Sequence, residues 1–226
     1  MSDPPPPGAD ASPPRPAPRE GRVAEELRAE LPGLGVVSLA LPAPPTHRSP
    51  KGIHEHLDML SSRFRGGDAL ALRQRPVPHA YRVAFRHVGL DPDATRTPIE
   101  AAAIERLVQG GFVSRGLIDD ALTIALVETG VPLWALDGDA VEGDLRLRLA
   151  HDGERLGGAE DGMPLPGGQI VVADALAPLA PLFGVPAAGY LAHRRTERLL
   201  LFALRVDGVP RLHVEEALWQ CASSLK

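Results

Sequence analysis

The hydrophobic period changes once along this chain, and that change limits the folds open to it. Up to about residue 130 the apolar residues recur mostly at three- and four-residue spacing, as on helices lying against a core. Beyond it they come in short runs or alternate, as strands do. Helices are predicted over residues 23–31, 53–64, 78–86, 97–108 and 117–128, with one early strand at 36–41. The stops have physical causes: Pro32-Gly33, Gly89, Gly110-Gly111 and Gly130. Thr97, Pro98 and Glu100 supply a cap, a first-turn proline and an acidic first turn. Strands are predicted at 132–136, 145–149, 169–173 and 199–204, and a last helix at 214–223. The order of elements implies an α/β fold without internal repeats.

Composition bounds the rest. At 226 residues and 44% apolar, the chain can bury a sizeable core. No run approaches the roughly 18 apolar residues of a transmembrane helix, so no membrane partner is expected. The N-terminus lacks a basic-then-apolar leader. The single Cys221 excludes an intramolecular disulfide and a cysteine metal cluster. These points lead to a cytoplasmic setting. Eight of the 24 prolines fall in residues 1–20. Residues 1–21 are therefore expected to be a solvated, disordered arm, a candidate ligand for an SH3-type partner, with 22–226 as the folded domain. Deleting residues 1–20 should leave stability almost unchanged.

The formal charge of −5 argues against non-specific coating of nucleic acid. The distribution is uneven, however. Residues 46–87 hold eight basic residues, among them Arg63, Arg65, Arg73 and Arg75, against three acidic ones. That stretch is a candidate phosphate-recognising face. Other motifs carry little. Gly33-Leu34-Gly35 precedes a strand instead of following one. His54 and His56 point to different faces of a helix, so no metal site is expected. Asp137, Asp139, Glu142 and Asp144 lack the spacing of a calcium loop. Asp119 and Asp120 suit a helix start through the macrodipole. No cofactor motif is present, and the residues by themselves carry no catalytic pattern.

An ordered set of motifs resembles a known family. It runs from Asp120 to Gly130-Val131-Pro132-Leu133-Trp134-Ala135-Leu136-Asp137-Gly138-Asp139. It continues through Gly143-Asp144-Leu145-Arg146-Leu147-Arg148, Asp152-Gly153-Glu154 and Ile170-Val171-Val172-Ala173-Asp174. Upstream, Leu31-Pro32-Gly33 and Gly89-Leu90-Asp91-Pro92 with Arg96-Thr97-Pro98 and Glu100-Ala101 fit the same pattern. The set is similar to the B3/B4 domain of the phenylalanyl-tRNA synthetase β subunit and its stand-alone relatives, over about residues 22–224. The resemblance implies a single mixed-sheet domain, α+β in detail, with surrounding helices. It also implies a pocket where tyrosine misattached to tRNA is hydrolysed.

Carried over residue by residue, the family's Thr-Asn pair falls on Leu122 and Thr123, its histidine on Trp134 and its glutamate near Ala188. Those four positions, with the loop at Pro186-Ala187, are expected to converge on one cavity, more apolar than an editing site. The expectation is a stand-alone protein tied to tRNA or aminoacyl-tRNA that binds an amino-acid-like small molecule. The alternatives are a non-enzymatic adaptor, with a protein partner at the pocket or the proline-rich tail, and a metabolite sensor. Enzymatic hydrolysis stays open, because a positioned water and the substrate's own hydroxyls could suffice.

Overall fold

A computed structural model of the chain describes residues 16–64, 67 and 71–226. In chain order the elements are β1 (Arg19–Glu20), β2 (Arg22–Val23), α1 (Glu25–Glu30), β3 (Gly35–Pro42), α2 (Lys51–Arg63), α3 (Pro76–His87), α4 (Pro98–Gln109), α5 (Leu117–Thr129), β4 (Leu133–Asp137), β5 (Arg146–Leu149), β6 (Ile170–Ala173), β7 (Pro178–Pro181), β8 (Arg198–Arg205) and α6 (Arg211–Ser224). The fold is α+β.

Local chemistry explains most boundaries. Thr97 caps α4, and the Glu100 carboxylate accepts from the Thr97 hydroxyl at 2.8 Å and its amide at 3.3 Å. Gly110 and Gly130 take left-handed φ values of 78° and 76° where α4 and α5 end. Val23, expected to open the first helix, instead forms a short strand with Arg22, and α1 keeps only six residues. β7 escaped the sequence pattern because Pro178 and Pro181 bracket it. It lies at a sheet edge, where a missing amide costs no ladder bond.

The strands form two sheets. One is antiparallel throughout, in the order β1-β3-β8-β4. The other is mixed, in the order β2-β5-β6-β7, with β2 parallel to β5. One apolar core serves both. It includes Val36, Val37, Leu201, Phe202 and Leu204 of the first sheet and Leu147, Val172 and Leu179 of the second. Tyr81 of α3 donates its hydroxyl to the Leu204 carbonyl at 2.6 Å, and complete burial pushes its pKa up. Buried Asp174 accepts from the amides of Glu142, Leu176 and Ala177, tying the turn after β6 to the loop before β5. The Glu154 carboxylate meets the Arg148 guanidinium at 2.5 and 2.8 Å, which draws its pKa down to about 2. Among the described residues no helix is long and apolar enough to cross a membrane.

Gly21 explains how a short segment serves two sheets. Its amide bonds to the Val36 carbonyl at 2.8 Å, while the next amide, of Arg22, bonds to Leu145 at 3.1 Å. A Cβ at Gly21 would stand 2.3 Å from the Leu145 oxygen, so only glycine fits this crossing. Order therefore begins before Gly21. Arg19 and Glu20 pair with Ser38 and Val37, and Glu20 also forms ion pairs with Arg205 and Arg211. Residues 1–15 lie outside the described residues. A chain starting at Gly21 should melt about 2–6 °C below one starting at Pro16, for the loss of roughly 1–2 kcal/mol of pairing. Equal melting temperatures in calorimetry would show that β1 adds nothing.

Candidate functional site

β4 is bonded to β8 along one side only. On the other side it makes a lone bridge, Leu136 to Leu191. A cavity of about 420 Å³ lies against this open edge. Leu133, Trp134 and Ala135 line it from β4, Ile118, Asp119 and Leu122 from α5, and Val185, Pro186, Leu191 and Ala192 from the loop before β8. His47, Arg115 and Gly116 complete the wall. The Trp134 ring stacks on Phe202, its partner in the β4–β8 register, with centroids 5.2 Å apart and planes at 14°. The stack fixes an apolar floor.

The opposite wall is held by one buried carboxylate. Asp120 accepts from the hydroxyls of Ser49 and Ser114, each at 2.5 Å, and from the Arg115 amide at 2.8 Å. The His47 carbonyl accepts the Leu117 amide at 2.9 Å. Gly116, with φ at 121°, allows that approach, since a Cβ there would lie 3.2 Å from the same carbonyl. Asp120 thus pins the loop before α2 to the start of α5, which a macrodipole reading alone does not explain. Neighbouring Asp119 faces the cavity. Partial burial raises its pKa, opposed by Arg115.

Of the residues expected at the pocket, Leu122 and Trp134 line this cavity, as does Pro186. Thr123 and Ala188 do not. Thr123 donates its hydroxyl to the Asp119 carbonyl at 2.8 Å, along its own helix. Ala188 is exposed in a short 3₁₀ turn, while its loop neighbours Val185, Pro186, Leu191 and Ala192 reach the cavity. Among the described residues no serine, threonine or tyrosine side chain lines the cavity. Its polar side chains are His47, Arg115 and Asp119, two of them from segments given no pocket role by sequence.

A polar extension adjoins the mouth, sharing His47, Arg115, Gly116 and Ala192 with the cavity and adding Arg48, Ser49, His54, Ser114, His193 and Arg194. Arg115 is paired with Glu105 at 3.1 Å, and His193 approaches Asp137 at 3.2 Å. The sequence-derived basic face is more divided. Arg73 is bound to Glu100 at 2.8 Å and approaches Asp93 at 3.5 Å. Buried Arg82 meets the same two carboxylates at 2.6 and 2.7 Å. The neutralising acids, Asp93 and Glu100, lie just beyond residues 46–87. Arg63 ends α2, Arg75 precedes α3, and both are exposed. Arg65 lies outside the described residues. Among the described residues no group of three His, Cys, Asp or Glu could hold a metal.

A more apolar cavity of about 530 Å³ lies elsewhere, between α3 and the ends of β3 and β8, and includes none of the expected pocket residues. No family model and no curated protein matches the chain.

The Asp120 hub gives a direct test. Asp120→Ala strands two hydroxyls and an amide, so urea unfolding should show a loss of about 2–4 kcal/mol. A loss below about 1 kcal/mol would mean that the wall stands without it.

Proposed function

We propose that this chain is a stand-alone B3/B4-type protein that binds tRNA or aminoacyl-tRNA and receives an amino-acid-like group in the cavity beside Trp134. The observation that carries this reading is the meeting of Leu122 and Trp134, twelve positions apart in one motif, with Pro186 of the loop before β8 in one cavity. A volume of about 420 Å³ suits a side chain with its α-carbon substituents. Asp119 offers a carboxylate for an α-ammonium group. The aromatic floor offers apolar contact to an aliphatic or aromatic side chain. Arg48 and Arg194 at the adjoining mouth offer charge to a phosphate backbone.

The reading favours binding over efficient hydrolysis. Among the described residues no side-chain hydroxyl lines the cavity, and Trp134 replaces the histidine of the family pattern. Apolar walls also discriminate close analogues by only about 1–3 kcal/mol, so tyrosine would be poorly selected. Slow or absent deacylation of Tyr-tRNA is the corresponding outcome. The cytoplasm is the proposed compartment. It accords with the lone Cys221, whose thiol is buried and pushed up to about 12.

A second reading is a non-enzymatic adaptor that takes a partner's side chain into the same cavity. Val185 and Leu191, exposed apolar residues in its lining, favour it.

Electrophoretic binding to total tRNA at two salt concentrations separates the readings. The tRNA reading expects a complex that survives moderate salt. Arg48→Glu with Arg194→Glu should weaken it and flatten its salt dependence by about one unit of slope per lost phosphate contact. Reversing Arg63 and Arg75 in the same assay tests the face drawn from the sequence. No complex at either salt concentration would leave the adaptor.

A further inference from the structure

A second charged site lies on the other sheet and is independent of the cavity at Trp134. Arg22 of β2 and Arg146 of β5 stand opposite each other in the parallel register. Like charges placed directly opposite destabilise a strand pair. The backbone nevertheless holds them there. The amides of Arg22 and Ala24 bond to Leu145 and Leu147 at 3.1 and 2.9 Å, and the Gly21 amide just before them is held by the Val36 carbonyl. Among the described residues neither guanidinium has a hydrogen-bond or ion-pair partner, and the Arg146 Nε is buried without one. A buried, unpaired guanidinium donor is costly, and a bound anion would remove that cost.

Arg22 and Arg146 line a cavity of about 660 Å³ with Arg148, His151 and Glu26. Arg148 is already committed to Glu154 through two bonds. Among the described residues of the lining, two unmatched guanidinium groups therefore remain, and Glu26 is the one unpaired carboxylate. The cavity continues past Leu149 and Gly168 into a groove walled by Leu27, Ile170 and Leu182. That groove gives an organic body an apolar bed.

We propose that Arg22 and Arg146 form a binding site for a phosphate monoester, its phosphate between the two guanidinium groups and its organic part toward Leu149. A monoester is close to dianionic above pH 7 and matches two arginines, and each planar fork suits its oxygens. A carboxylate or a phosphodiester carries one charge and leaves one arginine unmatched.

Inorganic phosphate is the probe, with the full chain at pH 7.5. Against chloride of equal ionic strength, about 10 mM phosphate should raise the melting temperature by some 3 °C or more, as expected where the probe is well above its Kd. Arg22→Gln and Arg146→Gln should each remove that rise. In chloride the variants should melt at or above the parent temperature, because a like-charge contact is gone. Arg22 is exposed, so Arg22→Gln should fold normally, and ³¹P line broadening seen with the parent chain should be absent with it. Equal phosphate responses in parent and variants would overturn the site, as a general salt effect. A large fall in the chloride melting temperature of Arg146→Gln would also overturn it, since Arg146 would then be a satisfied structural group. Total tRNA is the competitor. Failure to displace phosphate supports a free monoester, and displacement would overturn that assignment in favour of a nucleic-acid phosphate.

Discussion

The eight-residue antiparallel ladder between β3 and β8 is the constraint on which the rest of the molecule depends. Its register runs unbroken from Gly35 opposite Arg205 to Pro42 opposite Arg198. Most of its side chains are buried, so a one-residue slip would turn its apolar set away from the core. β1 extends the sheet from β3, and β4 extends it from β8. α6 packs against both strands of the ladder, and Tyr81 ties α3 to β8 through the Leu204 carbonyl. The second sheet joins through Gly21, where successive amides bond to different sheets. The ladder thus determines where an edge is left open, and the open edge of β4 is where the cavity forms.

Around that edge the chemistry divides by wall. The floor is apolar and rigid, because Trp134 lies on Phe202 and β4 is registered against β8. The opposite wall is polar and depends on Asp120, which replaces water by three protein donors. Asp119, one residue earlier, is left facing the cavity. Adjacent acids on one helix turn therefore differ in role. One is consumed in holding loops, and the other remains available to a ligand with a positive charge.

The sequence made this division only partly legible. Helix ends were readable wherever a single residue carries the cause, as at Thr97, Gly110 and Gly130. The strands of the ladder and of β4 were readable from their apolar runs. β1 and β2 were not, because two-residue strands have no period. β7 was hidden by its prolines. The expected basic face failed to account for Asp93 and Glu100, which approach Arg73 and Arg82 only after folding. Leu122 and Trp134 were reached through residue-by-residue alignment. Thr123 is adjacent in sequence but turns its hydroxyl back along the helix. Ala188 is exposed in its loop, and neighbouring Pro186 occupies the wall. Asp119 carried no signal beyond its place at a helix start.

The most direct measurement is the fluorescence of Trp134, made with Trp219→Phe so that one tryptophan reports. Titration with leucine and phenylalanine methyl esters presents a side chain, an α-ammonium group and an ester, as an aminoacyl end would. The account predicts a saturable change with both esters. It also predicts a loss of at least about tenfold in affinity for the N-acetylated esters, which cannot pair with Asp119, and the same loss in Asp119→Asn. No saturable change, or equal binding of free and acetylated esters, would contradict an amino-acid site at Trp134.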